Sequence, residues 1–163
     1  MDIEKLDKQL IDIERNLDNR AYSIVATESI RIIEAAFREI YQRDIRKLPS
    51  QERTKILRFE TSKHDNGIDG FTLGETIGLF FNKETRFFDV WAKTAGKNEA
   101  DFKLINFNEL NKLRIKLLHD NDECTEIDAK LIFRFLRIVL QAFDIKDFDF
   151  IGEKSSAQSS RCL

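Results

Sequence analysis

A chain of 163 residues with a single proline, Pro49, and six glycines has few places to turn sharply. An all-β sandwich needs that punctuation at every hairpin, so its scarcity selects long uninterrupted helices. Hydrophobic residues make up 42% of the sequence and charged residues 34%. That is enough apolar material for one buried core and too much for a disordered or collagenous chain. The expected fold class is all-α, a helical bundle of four main helices plus one or two short extra helices.

Charge and cysteine usage narrow the functional classes. With 27 basic against 29 acidic side chains the net charge is −2, so any nucleic-acid role must come from local clustering. Two thiols, Cys124 and Cys162, and no signal-peptide pattern predict a cytoplasmic protein without a disulfide framework. No Cys-x-x-Cys occurs, and the two histidines, His64 and His119, lie far apart, so neither a metal site nor a cofactor is expected. No apolar run approaches the ~20 residues of a membrane span. The C-terminal Arg161-Cys162-Leu163 does not fit a prenylation signal.

Periodicity divides the chain. Ile3, Leu6, Leu10, Ile13 and Leu17 alternate spacings of three and four, predicting an N-terminal amphipathic helix over residues 1–19 with a narrow seam. The seam covers about two heptads, fewer than the ~3–4 that define a coiled coil. A helical domain is expected over 20–152. Its first helix, 20–47, carries Ile24, Val25, Ile30, Ile33, Ala36, Phe37, Ile40 and Tyr41 on a broad face and ends before Pro49. A short helix over Ser50 to Thr61 shows a weak pattern, and 63–70 reads as a loop.

Thr72-Leu73-Gly74-Glu75 fits a capping box opening a helix through Phe80. An apolar helical stretch continues from Phe87 to about Ala95, and 96–105 is a connector. Asn106 and Glu109 cap a helix to His119, Asp120 to Glu123 turn, and Thr125 caps a last helix to Phe143. Residues 144–152 are amphipathic but short, and 153–163 read as a disordered polar tail. The Phe80-Phe81 and Phe87-Phe88 pairs read as core or dimer surface.

The chemistry-bearing segment is the helix over 107–119, which ends on His119 with Arg114 five positions earlier. The negative end of the helix dipole favours protonated imidazole and places it to exchange protons near neutrality. A guanidinium nearby holds a phosphate bidentately. Proton shuttling and charge stabilisation at phosphorus are the two needs of metal-free RNA cleavage. Five positions on one helix leave the two side chains about 140° apart, so the helix end unwinds or a second surface, such as a symmetric copy, completes the site. Lys130, Arg134 and Arg137 form a basic stripe on the last helix, a candidate RNA-binding face if it lies near Arg114. The plain alternatives are a C-terminal cap for His119 and solvated surface for the basic residues. His64-Asp65 reads as surface loop.

The Arg114-x4-His119 pair, the polar turn after it and the apolar helix that follows resemble the HEPN domain (higher eukaryotes and prokaryotes nucleotide-binding). The resemblance covers roughly residues 20–143. It includes Ser29-Ile30-Arg31-Ile32-Ile33-Glu34-Ala35-Ala36-Phe37 and the Thr72-Leu73-Gly74-Glu75 helix start. It implies a homodimeric helical bundle acting as a metal-independent endoribonuclease, of the kind frequent among toxins of toxin–antitoxin and antiphage-defence systems. By that resemblance Arg114 holds the scissile phosphate and His119 acts as acid or base while the 2′-hydroxyl attacks. Its implied partners are RNA substrate and an antitoxin or nucleotidyltransferase. The family usually carries a polar residue directly after the arginine, where this chain has Ile115. That departure implies the alternative, a catalytically inactive HEPN-like module for dimerisation or partner binding. A third reading is an unrelated helical adaptor using the seam of residues 3–17.

Overall fold

The computed structural model describes residues 2–63, 67–81, 87–97, 107–119 and 123–148, and every regular element among them is helical. In chain order these are α1 (Ile3–Asp18), α2 (Tyr22–Asp44), α3 (Ser50–Lys63), α4 (Leu73–Phe81), α5 (Phe87–Thr94), α6 (Phe107–His119) and α7 (Glu126–Ala142). Tight 3-10 turns occupy Ile45–Lys47 and Gly67–Gly70. Seven α-helices among the described residues exceed the four main and one or two short ones expected. The weak pattern of α3 explains part of the difference: Ile56 is buried while its neighbour Leu57 is 41% exposed, so a full-length helix shows only a thin apolar stripe. No helix among the described residues is long and apolar enough to cross a membrane.

Local chemistry sets the helix ends. The Thr72 amide donates to Glu75 Oε2 at 2.8 Å and the Glu75 amide to Thr72 Oγ1 at 3.3 Å, the reciprocal box that starts α4. Thr125 opens α7 in the same way, with Asp128 as the returning side chain. The first long helix is shorter than 20–47. It starts at Tyr22, because Arg20 turns through φ 59°, and ends at Asp44. Residues 45–47 then tighten into a 3-10 turn, and Leu48 is extended (φ −71°, ψ 152°) because a following proline excludes helical geometry.

The core forms around α2. Tyr22 at its start donates to Glu126 at the start of α7, and Phe37 further along meets the ring of Phe143 at 5.3 Å, so α2 and α7 run parallel. Phe37 packs edge-on to Phe80 at 4.7 Å, and Phe80 meets Phe87 at 4.5 Å. Phe80, Phe87 and Phe88 are buried and serve as core. Leu6, Leu10 and Ile13 of α1 join the same cluster, so the N-terminal seam faces the chain's own α2 and α7. Past α7, residues 144–148 are irregular. They are held by Lys146 on Asp7 at 2.5 Å, by Lys97 on Asp144, and by Arg137 over the Phe148 ring. The expected loop at His64-Asp65, most of the 96–105 connector, the Asn106 cap, the turn at 120–122 and the tail 153–163 lie outside the described residues.

Among the described residues, one charge is buried inside this core. The Asp44 side chain is 6% exposed and accepts two hydrogen bonds from Arg43 at 3.0 and 2.8 Å, one from Lys47 at 2.6 Å and one from the indole N–H of Trp91 at 2.8 Å. Burial by itself would push its carboxyl up. The donors outweigh that and hold it well below the usual carboxylate range.

A second polar knot fixes the turn after α3. Glu60 accepts from the Tyr41 hydroxyl and from the Ile68 amide at 2.8 Å. Gly67 there has φ +60°, and a Cβ at that position would clash with Glu60 Oε1. Gly67→Ala is expected to destabilise the fold by about 1–2 kcal/mol, combining left-handed strain with displacement of Glu60. Urea melts of the two proteins check this, and equal midpoints would contradict the Glu60 contact.

Candidate functional site

Arg114 lies on the wrong side of α6 for a solvated arginine. Leu110 is buried, and Leu113 and Leu117 pack against the core. Arg114 falls on the same stripe by its spacing of four from Leu110 and three before Leu117. Its side chain is only 12% exposed. It faces Glu34 of α2, with Arg114 Nε and Glu34 Oε1 4.0 Å apart. Glu34 in turn accepts the Leu73 amide at the start of α4 at 3.1 Å, where the helix dipole favours a carboxylate.

Two further side chains reach the same helix start. Arg38, one turn beyond Glu34, donates to the Phe71 carbonyl at 3.0 Å. Asn111, one turn before Arg114, lies against Gly74, where an added Cβ would be 3.2 Å from its Oδ1. Asn111 Oδ1, Arg114 Nε and Arg38 Nε are all buried without hydrogen-bond partners. At 4.0 Å the Arg114–Glu34 pairing is electrostatic and lies beyond hydrogen-bond length. Glu34 therefore faces the guanidinium without bonding its Nε. Glu34, Arg38 and Asn111 were not singled out from the sequence. The available signal was a charged residue on an apolar stripe, since Glu34 shares the spacing of Ile30, Ile33, Phe37 and Tyr41.

His119 is the last residue of α6, as expected; the placement of its side chain lies outside what is described. Ile115, next to Arg114, is 41% exposed and so turns away from Glu34. The basic stripe occupies a different face. Asp128 of α7 pairs with Lys116 of α6 at 3.2 Å, marking the side of α7 that meets α6. Lys130, Arg134 and Arg137 lie about 120–180° around the helix from Asp128. Lys130 pairs with Glu126 at 2.5 Å, and Arg137 packs over Phe148 at 5.1 Å. The stripe therefore lies off the side of α7 that meets Lys116.

Asp128 also receives the Thr125 hydroxyl and amide. Burial raises its carboxyl, but those bonds and Lys116 more than compensate and lower it. The neighbouring Cys124 thiol is free and buried, and burial followed by the Asp128 charge pushes it up, away from a reactive thiolate. Among the described residues no group of three or more His, Cys, Asp or Glu could hold a metal ion. Comparison with protein-family models, curated proteins and solved structures returns no match for this chain.

Proposed function

We propose that this chain is a HEPN-like, metal-independent endoribonuclease acting as a homodimer, in the manner of a toxin or antiphage-defence effector. The observation that supports it most is the setting of Arg114. A guanidinium on the inner stripe of α6, set opposite Glu34, carries the paired N–H groups that match a phosphate. The same helix ends on His119, where imidazole can exchange protons during attack by the 2′-hydroxyl. A second copy supplies the facing Arg114–His119 pair that one straight helix cannot converge. The basic stripe, lying off the α6-facing side of α7, guides RNA only from such a partner copy or along a longer path.

A second reading has its own observation. Arg114 is largely buried and Ile115 is exposed, as in a HEPN-like module that dimerises or binds a partner without cutting RNA. The test is cleavage of single-stranded RNA in EDTA, with the products analysed for 2′,3′-cyclic phosphate and mass in solution measured in parallel. Cleavage lost in both Arg114→Ala and His119→Ala supports the nuclease. A stable dimer that cuts nothing supports the inactive module. A monomer removes the composite site.

A further inference from the structure

A cleft of about 660 Å³ opens between the end of α2, the Ile45–Lys47 turn, α3 and the Gly67–Gly70 turn. Neither Glu34, Asn111 nor Arg114 lines it, so it is separate from the site above. Its apolar side is formed by Ile45, Ile68 and Leu57, the last left 41% exposed. Three guanidinium-bearing residues, Arg43, Arg46 and Arg53, stand around it against two acids, Glu60 and Asp69.

The commitments of these charges decide what the cleft attracts. Glu60 is engaged by Tyr41 and the Ile68 amide, and Asp69 accepts from Gln42 at 3.0 Å. Arg43 is tied to Asp44. Arg53 donates one N–H to the Arg46 carbonyl at 3.2 Å, which braces the turn and leaves its other donors for a ligand. The Arg46 guanidinium has no partner among the described residues. Neutral donors fix both acids without cancelling their charge, so the three arginines exceed the two acids by one positive charge, and the open donors of Arg46 and Arg53 stand beside an apolar wall. Its volume falls within the roughly 300–1,000 Å³ of small-ligand sites.

We propose that this cleft binds a small phosphate monoester with a flat apolar body, its phosphate on Arg46 and Arg53 and its body against Leu57, Ile45 and Ile68. A guanidinium matches a phosphate through paired N–H bonds, and the apolar body gains by leaving water.

The experiment is calorimetric titration of the full chain with 1-naphthyl phosphate, and separately with its two halves, 1-naphthol and inorganic phosphate. Saturable binding of 1-naphthyl phosphate, tighter than either half, is expected. Arg46→Glu should weaken it by about tenfold or more, the loss of a charge-assisted contact. That variant keeps the backbone carbonyl that Arg53 uses, so the turn stays braced. Leu57→Ser should weaken 1-naphthyl phosphate and leave inorganic phosphate unchanged. Arg31→Glu, which removes the same charge from an exposed position outside the cleft, should leave affinity within about twofold. Absence of saturable binding, equal affinity for either half, or binding untouched by Arg46→Glu would each overturn the assignment.

Discussion

Asp44→Ala lowers the stability of the fold by about 2–3 kcal/mol. The Trp91 ring is 1% exposed, and its N–H donates to Asp44. Without that acceptor the buried donor carries its own desolvation penalty of about 1–3 kcal/mol. Arg43 and Lys47 add less than partners of a fully buried pair would. Their side chains are 42% and 63% exposed and regain water when the carboxylate is gone. For a chain of this size the loss corresponds to a drop of about 5–10 °C in Tm. Asp44→Asn keeps an acceptor for Trp91 and should cost about 1 kcal/mol. The acid dependence follows from the direction of the shift. The Asp44 carboxyl lies below its ordinary value in the folded chain, so its contribution is full above about pH 4, the unfolded value, and is lost as pH falls toward the folded one. The gap between wild type and Asp44→Asn should therefore narrow below about pH 4. Urea melts from pH 7 to pH 3 measure it. A gap that stays constant over that range would show that the carboxylate's charge is not what the donors hold.

Asp44 also shows where reading the sequence stops. Helix class was legible because few glycines and one proline left little alternative, and Pro49 marked the end of α2 through Leu48. The boxes at Thr72-Glu75 and Thr125 were visible as local chemistry, and the long apolar faces of α2 and α7 were visible as periodicity. What periodicity cannot supply is the partner of a residue from a distant element. Nothing near Asp44 in sequence announces Trp91, 47 positions on. The candidate site was half legible. Arg114 and His119 were readable as a spacing, whereas Glu34 and Asn111 become meaningful only when α2 and α6 converge on the start of α4. A charged residue on an apolar stripe, as at Glu34 and Arg114, is the sequence trace of that convergence. The basic stripe has regular spacing, but helix rotation sets it off the side of α7 on which Asp128 meets Lys116.

On the proposed nuclease function, Arg114→Ala is expected to reduce RNA cleavage by about 10²–10³-fold, the scale of removing a donor from transition-state charge. His119→Ala should reduce it by about 10²–10⁴-fold through loss of proton transfer. The stability effect of Arg114→Ala is of another order. Glu34, with its side chain 21% exposed, keeps the Leu73 amide, and losing the weak pair together with the packing of a side chain only 12% exposed costs about 1–2 kcal/mol. The fold should therefore survive a change that removes activity, and thermal melts run beside the cleavage assay show the split. Arg114→Lys preserves charge without the planar fork, so partial recovery would assign the role to charge and continued loss would assign it to bidentate geometry. Glu34→Gln retains an acceptor for Leu73 while discarding the charge that faces the guanidinium. Its cleavage should fall less than in Arg114→Ala, as befits a positioning residue. If the two groups serve one transition state, as proposed, the double variant Arg114→Ala/His119→Ala should be little worse than the more damaging single change, because such losses do not add. Strictly multiplicative losses would mean that they act in separate steps. Cleavage undiminished in both single variants would remove the nuclease role from this helix.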